Sequence, residues 1–179
     1  ISEKEGRQRS LFASAITPDG LKNHLATALI NSKVYVLKSE EDTSSEKLLN
    51  RIRKAAIERG LDVECFYCAL NPTRLEHIRI PELTVSFTTS NSYHKLDADI
   101  YTTLNLNEYT DKNILDKYNE VIQYNRKKID ELLERAVYTL SKAKALHNEL
   151  ESYYVPNMDF EAVQRCREII IERILDYTR

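Results

Sequence analysis

Residues 36–52 read VLKSEEDTSSEKLLNRI, and this stretch gives the clearest indication of the fold. An apolar strand runs into a short polar loop and then into the apolar spacing of a helix, which is the layout of a phosphate-binding loop. Such a loop requires the pattern G-x-x-x-x-G-K-[ST], because its glycines let backbone N–H groups close around the phosphates. The stretch contains no glycine, and Glu40, Glu41 and Asp42 stand where a triphosphate would lie. The layout therefore predicts a fold of the kind that carries phosphate-binding loops, whereas the residues of the loop disfavour phosphate binding.

The diagnostic positions of the loop are all substituted. When the strand and the helix are aligned with the pattern, Ser39 and Ser44 replace the two glycines. Ser45 replaces the lysine, and Glu46 replaces the metal-binding hydroxyl. Each loop carboxylate would repel a phosphate charge within about 8 Å by roughly 0.5–2 kcal/mol. We therefore expect this loop to bind nucleoside triphosphates poorly.

The same residues also have a structural interpretation. Residues 43–46, TSSE, fit a capping box, in which Thr43 accepts an N–H of the first helical turn and Glu46 reaches back to the N–H of Thr43. Three interpretations stay open: a purely structural helix start, a remodelled ligand site, and a divalent metal site. The metal site would be formed by the four acids Glu40, Glu41, Asp42 and Glu46.

Strand-like and helix-like segments alternate along the first part of the chain. Strands are predicted at residues 10–16, 33–38, 61–68, 83–88 and 100–106, and helices near residues 21–29 and 48–57. A turn at residues 17–20, TPDG, closes the first strand, and Gly60 ends the second helix. This alternation predicts an α/β domain with a mainly parallel sheet and helices on both faces.

The last third of the chain is helical in pattern. Residues 113–154 contain no proline or glycine and keep a helical apolar period, so a continuous helix of about 60 Å would either break or project from the domain. A turn at residues 155–159, VPNMD, precedes a second amphipathic helix. We expect an antiparallel pair packed on the sheet, or an interaction surface for another domain or subunit. The predicted domains are a core over residues 1–110 and a long helical pair over residues 111–179.

Composition limits the partners and the compartment. The 26 basic and 28 acidic side chains give a formal charge of −2, so nothing drives the chain toward nucleic acid. No run approaches the roughly 18 apolar residues of a membrane span, and we expect a cytoplasmic protein without a membrane partner. Because the chain begins with Ile1 rather than Met, we expect it to be a piece of a longer protein. Cys65-x-x-Cys68 is interpreted as two buried thiols rather than a zinc or redox site.

The order of segments resembles that of bacterial tandem P-loop ATPases, in which two nucleotide-binding-type domains follow one another in one chain. The segments that carry the resemblance are FASAITPDG, VYVLK, AAIERGLDVECFYC, IRIPEL, TTSNSYH and KAKALHNELESYYVPNMDF. The chain is most similar to the second, C-terminal domain, with a degenerate Walker A loop. The resemblance implies a three-layer P-loop NTPase-like fold, a second P-loop domain as partner, and ATP and Mg as the family's cofactors.

The resemblance also assigns roles to single residues. The acid that some members keep after the strand following PEL falls at Thr89, which is neutral, whereas His94 matches the family pattern. Together with the substituted loop, these departures imply a domain that holds no cofactor and does not hydrolyse ATP.

Residues 88–94 form a polar loop after a predicted strand, and ligands in such folds bind beyond the carboxyl ends of strands. The candidate binding residues are Thr43, Ser44, Ser45, Thr89, Asn91 and His94, with no catalytic residue and no metal ligand assigned. The favoured function is a non-catalytic domain that acts as the structural or regulatory half of a tandem ATPase. Two alternatives stay open: a nucleotide- or small-ligand-binding domain with a remodelled site, and an assembly module that forms a homo-oligomer through the helical pair.

Overall fold

A computed structural model describes residues 4–39, 45–91, 93, 96, 99–109 and 111–177. In chain order the strands and helices are β1 (Gln8–Phe12), β2 (Ser14–Thr17), β3 (Gly20–Asn23), α1 (Leu25–Ala28), β4 (Lys33–Lys38), α2 (Ser45–Ile57), β5 (Val63–Tyr67), β6 (Leu75–Ile80), β7 (Val85–Ser90), β8 (Ile100–Asn105), α3 (Lys112–Tyr154) and α4 (Phe160–Asp176). The described residues form a six-stranded sheet in the order β1-β5-β6-β7-β4-β8, beside a separate hairpin of β2 and β3. β6 is antiparallel to both neighbours, and the other strands of the sheet run parallel. The protein is thus mixed α/β with a mostly parallel sheet, as the sequence predicts.

The antiparallel strand β6 is a strand that the sequence analysis does not predict. Pro81–Leu83 forms one 3-10 turn after it, and Thr84 follows with a left-handed φ of 51°. Because a parallel pair needs a crossover of a dozen or more residues, so short a connection joins β6 and β7 as antiparallel neighbours. The sequence analysis assigns residues 75–80 to no strand or helix, whereas the structure forms a strand there.

Both faces of the sheet are covered, and β4 contributes to each of them by alternation. Leu37 lies in the core beneath α2, together with Leu49 of that helix. Val34 and Val36 lie in a second core on the opposite face, where they meet Leu25 of α1. The predicted helix at residues 48–57 is confirmed and begins at Ser45.

The C-terminal end of α2 forms a Schellman motif. Gly60 has φ of 81°, its N–H donates to the Ile57 carbonyl, and the Leu61 N–H donates to the Ala56 carbonyl. Leu61 also packs against the core beneath α2. Gly60 therefore ends the helix, as the sequence predicts.

The region before β4 differs from the prediction. The expected strand at residues 10–16 divides into β1 and β2, and the TPDG turn joins β2 to β3 as a hairpin, with Gly20 at φ of 98°. Leu21, which the periodicity places in a helix, pairs with Ile16 in the hairpin. Of the helix predicted near residues 21–29, only Leu25–Ala28 forms. The residues before Leu25 belong to β3, which the TPDG turn pairs with β2.

The long helix α3 is continuous over 43 residues, or roughly 65 Å at 1.5 Å per residue. Its Asp111 cap accepts the N–H of Asn113. The helix lies against the β2–β3 hairpin, where Lys144 approaches Asp19 with Nζ 3.4 Å from Oδ2. Of the two alternatives that the sequence leaves, the helix projects and does not break.

The last helix, α4, is not packed on the sheet. Its apolar side chains Ile169, Ile170, Ile171, Ile174 and Leu175 are 45–56% exposed. Side chains in a helix packed against α3 would be largely covered. In the described part of the chain α4 is therefore not covered by the sheet, and its interpretation as an interaction surface stays a prediction. None of the described helices is long and apolar enough to cross a membrane.

Candidate functional site

The predicted loop site is only partly within the described residues. Thr43, Ser44 and His94 lie outside them, as do the acids Glu40, Glu41 and Asp42 of the metal-site alternative. The capping box is likewise untested, because its first residue is Thr43. What can be placed is Ser45, Thr89 and Asn91.

Ser45 and Thr89 lie beneath α2. Ser45 is fully buried in the first turn of that helix. Thr89 pairs in register with Leu37, whose side chain belongs to the core beneath α2. Thr89 is 2% exposed, and within the described part of the chain its Oγ1 has no hydrogen-bond partner. Both residues are thus buried, and Thr89 lies near the carboxyl end of β7, which is the end of a parallel α/β sheet where ligands bind.

Asn91 lies elsewhere, in a pocket that the sequence does not predict. The pocket has a volume of about 420 Å³ and lies between the ends of β5 and β7, the β2–β3 hairpin and α3. One wall is aliphatic and consists of Ile16, Leu70, Ile129, Leu132 and Leu133. The rest of the lining is Cys68 and the polar residues Asn71, Arg74, Glu76, Asn91 and Tyr93. A cavity of this size with a few convergent polar groups is typical of a small-molecule site.

Glu76 reaches the pocket through an irregularity in β6. Phe66 pairs with His77 and Tyr67 pairs with Leu75, so Glu76 is the extra residue at the register shift between β5 and β6. Such a bulge re-aims side chains locally and is over-represented next to binding sites. The bulge explains how a carboxylate comes to lie among buried residues at the end of the sheet.

Three ionisable groups meet at this bulge. Glu76 is 1% exposed, and its Oε1 lies 4.0 Å from Nε of Arg74. Its Oε2 lies 3.8 Å from Nε2 of the buried His77. Burying a carboxylate is costly unless cations or hydrogen-bond donors surround it. Arg74 supplies a cation beside Glu76, and His77 supplies a second one only when its ring is protonated.

His77 is held by a hydroxyl on the next strand. Its Nδ1 lies 2.7 Å from Thr88 Oγ1, and the Thr88 hydroxyl donates to the Thr89 carbonyl at 3.2 Å. Which of the two atoms donates in this bond depends on the tautomer of the imidazole ring. The other ring nitrogen, Nε2, faces Glu76.

Tyr93 fixes helix α3 above the pocket. Its hydroxyl donates to Asp130 Oδ1 of α3 at 2.8 Å, and its backbone N–H donates to Asn91 Oδ1 at 2.9 Å. Burial, together with the hydrogen bond to Asp130, raises the pKa of the Tyr93 phenol. The phenol thus stays protonated as a donor, and Asn91 is linked to α3 through Tyr93.

The two neighbouring cysteines are buried thiols, as the sequence predicts. Cys65 lies in the core beneath α2, where burial raises the pKa of its thiol to about 11. Cys68 lines the pocket, and its Sγ accepts the N–H of Leu70 at 3.3 Å. Among the residues that the structure describes, no group of three or more His, Cys, Asp or Glu side chains could hold a metal ion.

Sequence reasoning misses Arg74 and Glu76. The available signal is the run LEHIRI, in which charged residues interrupt a segment that is almost entirely buried in the structure. The two charged side chains of this run disfavour a buried strand when only local pattern is considered, so the sequence analysis predicts no strand here.

Comparisons with protein-family models, with curated proteins and with solved structures found no match. The fold and the site therefore define a class only. This is a mixed α/β protein with a mostly parallel six-stranded sheet, a long C-terminal helix, and a partly buried charged pocket at the carboxyl ends of its strands.

Proposed function

We propose that this chain is the non-catalytic half of a tandem P-loop-type ATPase, in which it acts as the structural or regulatory partner of a nucleotide site held by the other half. The observation that carries the proposal is the exposed apolar surface of α3 and α4. The order of β7, β4 and β8, all parallel, with β4 leading toward α2, supports the P-loop-like part of the proposal.

The exposed helices support a role in binding another protein. The five apolar side chains of α4 named above are each about half exposed, and Leu146 and Leu150 near the end of α3 are exposed as well. Full burial of one such side chain is worth roughly 1.5–3 kcal/mol, so covering this surface would contribute several kcal/mol to an interface. Exposed apolar surfaces of this extent mark protein–protein contacts. In the proposed arrangement, the occupant is the companion domain.

Thr89 supports the non-catalytic part of the proposal. It stands at the end of β7, where the resembled family keeps an acid in some of its members, and it is uncharged and buried. A neutral hydroxyl in this place cannot hold Mg²⁺ through a carboxylate or orient an attacking water as an acid would.

Phosphate release from Mg-ATP tests the non-catalytic part. We expect the purified chain to release phosphate no faster than a buffer blank, and Thr89→Val to behave identically. Mg-ATP should also leave the unfolding temperature unchanged. Phosphate release that Thr89→Val abolishes would overturn the proposal, and a nucleotide-specific rise in unfolding temperature would favour the remodelled-site alternative.

Substitutions on α4 test the docking surface. The double variant Ile170→Glu/Ile174→Glu should lose the binding of an apolar fluorescent dye and any concentration-dependent increase in mass seen by light scattering. Gln164→Glu, an exposed change on the same helix, is the matched control and should change neither. A wild-type chain that stays monomeric at high concentration and binds no dye would contradict the proposal. A stable dimer that the double variant abolishes would instead favour the assembly module.

A further inference from the structure

The pocket beneath α3 combines two charges of opposite sign with an aliphatic wall. Arg74 and Glu76 line it at one side, and Leu132 and Leu133 of α3 line it at another. Polar groups that converge on a cavity commonly fix the orientation of a ligand. The chemistry of the lining therefore limits the kind of molecule that fits.

We propose that this pocket binds an α-amino acid with an apolar side chain. The ligand's ammonium group would lie against the Glu76 carboxylate, its carboxylate against the Arg74 guanidinium, and its side chain against the wall formed by α3. A carboxylate has about four acceptor positions and an arginine has five N–H donors, so each can bind a ligand group in addition to its protein partners.

The geometry of the charged pair suits a zwitterion. In the ion pair of Arg74 and Glu76, the Arg74 Nε atom lies 4.0 Å from the Glu76 Oε1 atom. Charge-assisted hydrogen bonds are formed at about 2.7–2.9 Å, so these two atoms are not in such a bond. The ammonium and carboxylate groups of an amino acid are separated by a single carbon, which matches two charges that lie close together, one directly before β6 and one within it.

Other ligand classes match the lining less well. A nucleotide or inorganic phosphate would place its negative charges beside Glu76, with Arg74 as the one arginine or lysine among the described lining residues. A fatty acid or an alkylamine would satisfy one of the two charges and desolvate the other, which costs free energy. The zwitterion compensates both charges at once, and the volume of about 420 Å³ leaves room for a leucine or phenylalanine side chain.

Thermal unfolding with L-leucine and L-phenylalanine as probes tests the proposal. At about 100 times its dissociation constant, a ligand should raise the unfolding temperature of a domain of this size by roughly 5–10 °C. We expect a saturable rise with at least one of the two amino acids. We expect at least tenfold weaker binding for 4-methylpentanoate, which lacks the ammonium group, and for 3-methylbutylamine, which lacks the carboxylate.

Paired variants separate the pocket from general effects on the fold. Arg74→Gln and Glu76→Gln should each weaken amino-acid binding at least tenfold. Arg79→Gln and Glu64→Gln are matched controls, because those residues form an ion pair between β6 and β5 and do not line the pocket. Leu132→Lys, at a largely exposed position of α3, should also weaken binding while the chain stays folded, which covers the case in which Glu76→Gln fails to fold.

The proposal would be overturned by any of three results. The first is no saturable rise in unfolding temperature with either amino acid. The second is equally tight binding of the one-charge analogues or of orthophosphate. The third is amino-acid binding that Arg74→Gln and Leu132→Lys leave unchanged. None of these results bears on phosphate release or on the surface of α4, so the proposed function is tested separately.

Discussion

Gly6 lies where the N-terminal segment crosses the end of α2, and replacing it with alanine should detach this segment. A Cβ atom at Gly6 would lie 1.9 Å from the carbonyl oxygen of Leu61 and 2.4 Å from the carbonyl carbon of the same residue. Both are backbone atoms, so no side-chain rotation relieves the overlap. The Gly6 N–H donates to the Ile57 carbonyl at 2.9 Å, and the Val63 N–H donates to the Arg7 carbonyl at 2.8 Å.

Displacing residue 6 breaks the first of these bonds and strains the second. It also strains the bonds of Arg7 to Asp62, in which the backbone N–H donates to Oδ1 at 2.7 Å. At roughly 0.5–1.5 kcal/mol per hydrogen bond, the loss is about 2–3 kcal/mol, which lowers the unfolding temperature by about 4–12 °C.

Thermal unfolding and hydrogen exchange measure the effect. Gly6→Ala should speed exchange of the Val63 amide in particular, because this amide bonds to Arg7. Gly20→Ala is the contrast, since its added Cβ meets nothing within 4 Å and the cost there is backbone strain at φ of 98° alone. A Gly6→Ala variant that unfolds within about 1 °C of the wild type would refute the packing of this segment on α2.

Three further outcomes follow from single residues. The Arg7 guanidinium and the Arg7 N–H donate to Asp62 and lower its pKa. The stabilisation is therefore present above the unfolded pKa of about 3.9 and is lost as the pH falls through the lower folded value, so the difference in unfolding temperature between wild type and Asp62→Asn should shrink as the pH falls below about 3.9. Of the three cysteines, Cys166 is exposed while Cys65 and Cys68 are buried. A thiol reagent should therefore label one site quickly in the native protein and all three sites after unfolding. Cys166→Ser should remove the fast phase of labelling. Thr84 has a left-handed φ of 51°, which costs a β-branched residue about 1–2 kcal/mol. Thr84→Gly should therefore raise the unfolding temperature by a few degrees. Thr73→Gly is the control and should not raise it, because φ of Thr73 is not positive.

Several elements predicted from local signals are present in the structure, although the region before β4 differs from its prediction. Lys33–Lys38 alternates apolar side chains between two cores, and Gly60 marks the end of α2 through its own backbone conformation. The long helix could also be predicted, because it contains no glycine or proline and its apolar period is unbroken. These features depend on residues close to one another in the sequence, and local propensity is sufficient for them.

The features that the sequence does not predict depend on distant residues. β6 contains Glu76, His77 and Arg79, which locally indicate an exposed or irregular segment. They are accommodated within the sheet by Arg74, by Thr88 of β7 and by Glu64 of β5. The pocket is missed for the same reason, since its lining is drawn from the hairpin, two strand ends and α3. Asn91 was chosen for its position beyond β7, and the structure places it in this pocket and apart from Ser45 and Thr89.

Helix α3 belongs to both proposed surfaces, and this links them physically. Its Ile129, Leu132 and Leu133 line the pocket, and its distal Leu146 and Leu150 are part of the exposed apolar surface. A continuous helix transmits a change in tilt from one end to the other, and the Tyr93–Asp130 bond is a described anchor beside the pocket. A ligand that changes the position of α3 would therefore change the affinity for a partner at its far end, and the partner would change the ligand's affinity by the same factor. Asp130→Ala removes the acceptor of this bond, and Asp130 does not line the pocket, so this variant should weaken the coupling while leaving each binding event in place.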